Sequence, residues 1–384
     1  MTAHKTNRVA VVGGGIIGTM TAWQLASRGL DVTVFEQWNT PNDRGASAGE
    51  SRIFRTIYKE GPEYVPLLKK SRDKWDELQA CQHMDVLDMC GGVTIGPPSE
   101  PDVAAVIDCA KAADLDHRVI NAKEMAEEYP QFALDEDEVG VYDPGAGIFR
   151  PELAVLAARN ESIRHGAEYR SYARVLNIRS VASCVMIDTA DGPIGFDSVV
   201  IATGPWASEL SGLDQAMVAA KRLVAMWFPA MNVSLHQPRS MPISIRRNDV
   251  GGFSCFPVVD GAGVKILPHH LPWQDLGDVN DLPRFIEPET VRATEQTVQR
   301  LMPGLDPTAV RVSTWTEGFT TDGAPVVGPS PLDDRIMLAV GMSGQGFKFS
   351  PMIGSIISDF VENGSSRDSL RIMDPDRYIK EPVR

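Results

Sequence analysis

The run Val11-Val12-Gly13-Gly14-Gly15-Ile16-Ile17-Gly18 constrains this chain more than any other stretch. An apolar strand, Arg8 to Val12, precedes it. Helical composition follows from Thr19 to Ser27, with Gly29 as a stop signal. A second strand, Val32 to Phe35, ends at Glu36. Strand, Gly-rich turn, helix, strand is the opening unit of a doubly wound α/β sheet.

Gly13, Gly15 and Gly18 stand in a GxGxxG frame. The first permits the tight turn, the second lets a pyrophosphate reach the backbone, and the third lets helix and strand pack closely. The helix N-terminus, with Ile16 and Ile17, offers free N–H groups to phosphate. Glu36 lies 18 residues beyond Gly18, where a carboxylate accepts hydrogen bonds from ribose hydroxyls. The glycines alone are a weak signal; with the strand, helix and terminal acid they specify a dinucleotide. NAD and FAD both fit, and Glu36 argues against the extra phosphate of NADP.

Three features favour FAD. The motif stands at the N-terminal end of the chain. A later strand, Ser198 to Ala202, runs into Thr203-Gly204-Pro205-Trp206. A third Gly-rich turn, Gly341 to Gly346, precedes a helix expected to begin at Pro351 and run to Asn363. The positive end of that helix suits the negative charge of a reduced flavin.

The intervening chain divides by character. Residues 37–61 read as a long loop, and Glu63 to Leu78 as a helix. The acidic run Asp135 to Glu138 reads as a solvated turn. Pro151 opens another helix, with Leu153, Leu156 and Ile163 as its core-facing stripe and Gly166 closing it. Short strands follow around Val175 and Val185. Between 217 and 320, alternating strands (Arg222 to Phe228, Ile243 to Arg246, Phe253 to Val259, Val264 to Leu267) predict an antiparallel sheet. Asp260-Gly261-Ala262-Gly263 is its hairpin signal. The expected fold is a Rossmann-like α/β domain with an inserted α+β domain. The nucleotide-binding part comprises 1–80, 146–216 and 321–384; the substrate part comprises 81–145 and 217–320.

Lys+Arg total 37 against 51 Asp+Glu, a formal charge of −14. So acidic a surface disfavours nucleic acid and anionic membrane, while leaving room for a local basic pocket. The five cysteines are odd in number and form no CxxC pair, which points to neither a disulfide framework nor a metal site, and suits a reducing cytoplasm. MTAHKTNR has no apolar signal core, and no apolar run reaches the length of a membrane span.

The stretches VVGGGIIG, SAGESRIFR with EGPEYVPL, GIFRPELA, VVIATGPWA, GVKILPHH and GMSGQGFKFSP occur in order along the chain. Together they resemble the monomeric sarcosine oxidase and N-methyltryptophan oxidase family of FAD-dependent amine oxidases, within the D-amino-acid-oxidase-like flavoproteins. The resemblance implies that Arg52 lies against the flavin ring and that Arg55 holds a substrate carboxylate with Lys348 as its basic partner. It implies that Lys265 stands at the flavin where oxygen is activated and that His269 stands near the substrate. Gly344, Gln345, Gly346 and Phe347, with Lys348, take the position of the family's flavin-lining turn. Ser47, Val175, Thr203, Gly204 and Trp206 join the expected cofactor contacts.

The sequence also departs from that family. Many members attach FAD through a cysteine just before the segment resembling Trp315 to Asp322. Arg311 to Asp322 holds no cysteine, with Ser313 and Trp315 at the candidate positions, so non-covalent FAD is expected. Two tyrosines that face substrate in sarcosine-oxidising members are replaced by Ser254 and, by register, Glu317, which predicts a different, larger or more polar amine. The implied activity is oxidation of a carboxylate-bearing primary or secondary amine, of N-methyl or cyclic type, with reduction of O2 to hydrogen peroxide. A dehydrogenase using another electron acceptor and a non-catalytic flavin-binding subunit remain alternatives, with an NAD-dependent dehydrogenase behind them. A monomer or small homo-oligomer without a metal is expected.

Overall fold

Alternation along the first strand, Arg8–Val12, sets the architecture. Val9 and Val11 face one side of the sheet and Ala10 and Val12 the other, and all four are buried. A strand covered on both faces belongs in the middle of a parallel sheet. The computed structural model, which describes residues 7–214, 216–247, 252–261, 263–269, 271 and 274–378, places it there. The sheet runs Val326–Ser330, Asp333–Val340, Ser198–Ile201, Arg8–Val12, Asp31–Phe35, Glu168–Arg170. Every pair is parallel except the first.

Helices Ile16–Ser27, Pro151–Arg164 and Gly346–Asn363 cover one face. A three-stranded meander, Val175–Val181, Cys184–Thr189 and Gly192–Phe196, covers the other through Val185, Ile187 and Phe196. Helix Pro151–Arg164 begins at Pro151, but its expected stripe is wrong. Leu153 and Ile163 are exposed and Leu156 is half-buried, while Ala154, Val155, Ala157 and Ala158 are buried. The small residues face inward because this helix packs directly on Ile16–Ser27.

The last helix starts at Gly346, five residues before the expected Pro351, which lies inside it. Proline removes the N–H that would bond the Phe347 carbonyl, and Ser350 Oγ donates to that carbonyl instead at 2.8 Å. Gly354 meets the first helix so closely that a Cβ there would lie 2.8 Å from Met20 O.

The expected loop 37–61 contains a short strand, Arg52–Phe54, paired with Gly147–Phe149. The acidic run is not wholly solvated either. Glu138 is buried and meets Arg246, itself fully buried, with Nε to Oε1 at 3.0 Å. A guanidinium cannot be left alone in the core, so this acid is drawn inward.

Among the described residues, the second large sheet has nine strands. It joins Val218–Phe228, Val264–Pro268, Phe253–Phe256 and Ile243–Arg246 to Gly92–Gly96, Val139–Asp143 and Arg118–Ile120. Arg311–Thr320 and Gln274–Asp275 also pair with Val218–Phe228. It is not purely antiparallel: Ile243–Arg246 runs parallel to Gly92–Gly96. Ala262 of the hairpin signal lies outside the described residues.

Candidate active site

An open cleft of about 1250 Å³ runs along the C-terminal ends of the parallel strands and under the second sheet. This is where an open α/β sheet binds its ligand. At one end Glu36 is buried, accepting from Gly14 N at 2.7 Å and Trp38 N at 2.9 Å. Burial pushes its carboxyl up, and those N–H groups pull it back. Beside it are Trp38, Val175 and Arg174.

The middle of the cleft is bare backbone. Gly13, Gly14, Gly15, Ile16 and Ile17 line it, and Ser47 Oγ accepts from Ile16 N at 2.9 Å. A Cβ on Gly13 would lie 2.4 Å from Ala202 O. Gly18 does not line the cleft; a Cβ there would lie 1.8 Å from Gly13 O, so it serves the helix–strand contact. Thr203, Gly204 and Trp206 form one wall, where the Thr203 hydroxyl is buried with no partner among the described residues.

At the other end stand Arg52, Glu317, Gly318, Met342, Gly344, Gly346 and Phe347. Gln345 and Lys348 do not line the cleft. Gln345 instead donates from Nε2 to Gly323 O at 2.7 Å and accepts from Tyr58 Oη at 2.8 Å. The helix N-terminus is partly engaged: Gly344 N donates to Glu317 Oε1 at 2.8 Å.

Alternation along Arg311–Thr320 puts Trp315, Glu317 and Phe319 on one sheet face. Trp315 and Phe319 share an apolar cluster with Trp227. Lys265 pairs in register with Trp227 on one side and Phe256 on the other. It is 2% exposed. Its Nζ donates to Gly49 O at 2.7 Å, Ser51 O at 3.1 Å and Ser51 Oγ at 3.3 Å. The Phe256 and Trp315 rings lie 4.6 and 5.1 Å away. Burial, and then Arg52, hold this ammonium well below the usual lysine range, against the pull of Glu50 and Glu152.

Arg52 belongs to the same loop. Its Nη1 donates to Ser51 O and its Nη2 to Ala46 O, both at 2.7 Å, and it lies 5.3 Å from the Trp315 ring. A loop that folds its carbonyls inward thus holds two cations from two sheets, of which Arg52 lines the cleft and Lys265 does not.

Arg55 and Lys348 share a second platform. Both lie over the Tyr58 ring, at 4.9 and 4.8 Å. Arg55 Nη2 is 3.6 Å from Glu60 Oε2. Lys348 Nζ donates to Gln345 O at 3.1 Å. Burial, then Arg55, lowers Lys348 to about 7. Ser71 Oγ and Trp75 Nε1 both donate to the Lys348 carbonyl, fixing its backbone. Tyr58 had no distinguishing sequence signal.

His269 and Ser254 form a third group. Ser254 Oγ is 3.0 Å from His269 Nε2, and Arg247 Nη1 is 2.9 Å from His269 Nδ1. A guanidinium only donates, so Nδ1 accepts and the proton of the neutral ring stands on Nε2, facing Ser254. Arg247 also pairs with Asp102 at 3.0 Å. His270 lies outside the described residues.

The description of the FAD-dependent oxidoreductase family (DAO) matches residues 8–360, and the chain belongs to that family. It is 30% identical over 382 residues to the monomeric sarcosine oxidase of Streptomyces avermitilis, covering 98% of this chain and 99% of that one. It is 26% identical over 358 residues to the N-methyl-L-tryptophan oxidase of Yersinia pestis, covering 93% and 95%. Among solved structures, NikD, an amino acid oxidase of nikkomycin biosynthesis, superposes with a TM-score of 0.85 at 20% identity, over 96% of this chain and 98% of that one. Glycine oxidase from Geobacillus kaustophilus gives 0.81 at 23% identity, over 98% and 100%. Those two structures share the fold.

The residues fit FAD. A buried acid at a strand end, the glycine-rich backbone of Gly13 to Gly15 and the Thr203 hydroxyl, buried with no partner among the described residues, all line one cleft. Among the described residues, no helix is long and apolar enough to cross a membrane and no group of three His, Cys, Asp or Glu side chains converges on a metal.

Proposed function

We propose that this enzyme is an FAD-dependent oxidase of a carboxylate-bearing primary or secondary amine. Its product is the imine, and dioxygen is reduced to hydrogen peroxide. Two electrons and two protons leave the C–N unit, and two electrons and two protons reach O2. When bound, FAD supplies the redox chemistry, accepting electrons from the amine and passing them on.

The observation that carries this reading is the pair Arg55 and Lys348 on one tyrosine ring, at the helix whose first turn lines the cofactor cleft. A guanidinium and an ammonium so close repel, and an anion between them removes the repulsion. A carboxylate meets both requirements, and fixing it orients the amine and its neighbouring C–H. When protonated, Lys265 places a positive charge in a nearly dry setting, where anionic charge developing on oxygen is most strongly stabilised. The relatives, a sarcosine oxidase and an N-methyl-L-tryptophan oxidase, agree with an N-alkyl amino acid as substrate.

Ser254, a small hydroxyl residue within hydrogen-bond distance of His269, supports a larger or more polar amine than sarcosine. The absence of cysteine from Arg311–Thr320 supports non-covalent FAD. The five free thiols accord with a reducing compartment such as the cytoplasm. The cleft between the two large sheets supports a nucleotide-binding part and a substrate part interleaved along the chain.

The test is an anaerobic flavin-bleaching screen over N-methyl, cyclic and D-amino acids and sugar–amino acid conjugates. Bleaching by a carboxylate-bearing amine is expected, with one peroxide per turnover under air. Bleaching only by amines without a carboxylate would refute the role of the cation pair. Turnover without peroxide would identify a dehydrogenase.

A further inference from the structure

Glu317 is an acid where an oxidising cofactor would be expected to meet only positive charge. It lines the same end of the cleft as Arg52 and Gly344, and it accepts the Gly344 N–H at the start of the last helix. Its strand alternation puts it on the face that carries Trp315 and Phe319. Thus it touches one positive source, the helix N-terminus, and acts electrostatically on two others, Arg52 and Lys348.

We infer that Glu317 is a charge-balancing residue for the bound flavin: its carboxylate offsets Arg52 and the helix N-terminus, and so holds down the affinity of the site for anionic forms of the cofactor. This rests on FAD occupying the cleft. The structural alternative is that Glu317 serves only to cap the turn. The two roles make opposite demands on the side chain. Capping needs an acceptor of this length, which Gln retains and Asp lacks. Charge balance needs the negative charge, which Asp retains and Gln lacks.

Sulfite distinguishes them without turnover. It adds to an oxidised flavin through a new sulfur–nitrogen bond, its electron pair passing into the ring, and the adduct carries added negative charge. Its affinity is read from loss of the visible band of the holoenzyme. Removing one unit of charge from a partly dry cleft is expected to tighten sulfite binding by about tenfold in Glu317→Gln. Glu317→Asp is expected to stay within about threefold of the parent, because the charge is kept. Unchanged affinity in Glu317→Gln, or a larger change in Glu317→Asp than in Glu317→Gln, would overturn the inference and leave the flavoenzyme reading intact. A purified parent protein with no flavin band would overturn both. Should Glu317→Gln fail to fold, the parent decides: its sulfite affinity, corrected for sulfite ionisation, must rise as pH falls through the Glu317 titration, and a flat profile overturns the inference.

Discussion

Replacing Lys265 by Met tests the oxygen half of the proposed reaction. The thioether chain keeps most of the volume between Trp227, Phe256 and Trp315 and removes only the ammonium. Two unit charges 4 Å apart at an effective dielectric constant near 20 interact by about 4 kcal/mol. Loss of one preorganised donor at a developing oxyanion costs about 3–4 kcal/mol in comparable sites. Re-oxidation of reduced enzyme by O2 should therefore slow by about 10²–10³-fold, while anaerobic reduction by substrate changes by less than about threefold. Stopped-flow absorbance measures both halves separately. The pH dependence gives a second handle. The Lys265 pKa is held well below the lysine norm, so the charge is present at low pH and lost as pH rises through that lowered value. Re-oxidation should fall over that range in the parent and be flat in Lys265→Met. Equal slowing of both half-reactions, or a pH-dependent re-oxidation surviving in the variant, would show that Lys265 only supports the Gly49–Ser51 loop.

The same logic extends to other charges. Lys348 titrates at about 7, so its ammonium is lost above that pH, and the parent-to-Lys348→Met ratio of kcat/KM for a carboxylate-bearing amine should decline as pH rises through 7; a constant ratio would remove Lys348 from substrate binding. Its effect on folding has the opposite sense: the folded chain binds fewer protons than the unfolded one between about 7 and 10.5, so this group favours folding as pH rises over that span. Glu36→Ala leaves the Gly14 and Trp38 N–H groups without their acceptor and should weaken FAD binding by about 1–3 kcal/mol, measured by titrating apoprotein with FAD. Glu138→Ala strands the fully buried Arg246 and should cost about 3–5 kcal/mol in urea unfolding, whereas Glu138→Leu with Arg246→Met should recover most of it; a loss below about 1 kcal/mol would contradict the burial argument.

The nucleotide half of the fold was legible because its signals are local. Gly13 and Gly18 are demanded by backbone that would lie 2.4 and 1.8 Å from a Cβ, whereas a Cβ on Gly15 would meet only the Ser47 hydroxyl, at 3.1 Å. Glu36 is named by its place at a strand end. Helix faces were harder, since burial depends on what packs opposite. On Pro151–Arg164 the neighbour is another helix at short range, so alanines face inward and Leu153 and Ile163 are left outside. Pro351 misled for a related reason. A proline reads as a helix start, but a serine one residue earlier can serve the carbonyl that proline leaves without a partner, and the helix passes through.

The site shows what no single stretch of sequence carries. Residues 46–52 look like a polar loop, and Lys265 like an outward residue of an alternating strand. Only the pairing of Lys265 with Trp227 and Phe256 turns it toward that loop, and the loop's carbonyls then make its burial tolerable. Arg55 and Lys348 are almost three hundred residues apart and meet over Tyr58, which sequence reasoning passed by. In a chain of charge −14, cations are drawn to acids, and most surface arginines here are paired with one. Lys265 and Lys348 have no carboxylate within ion-pair distance among the described residues and rest on backbone carbonyls and aromatic rings instead. Holding such charges buried without a counterion is unfavourable, and the acidic exterior lessens the penalty only at long range. An anion arriving between Arg55 and Lys348 relieves it, so the same arrangement that weakens the empty protein should make it more stable with a carboxylate ligand present. A rise in Tm with a non-oxidisable carboxylate, lost in Lys348→Met, would be the direct sign of that coupling.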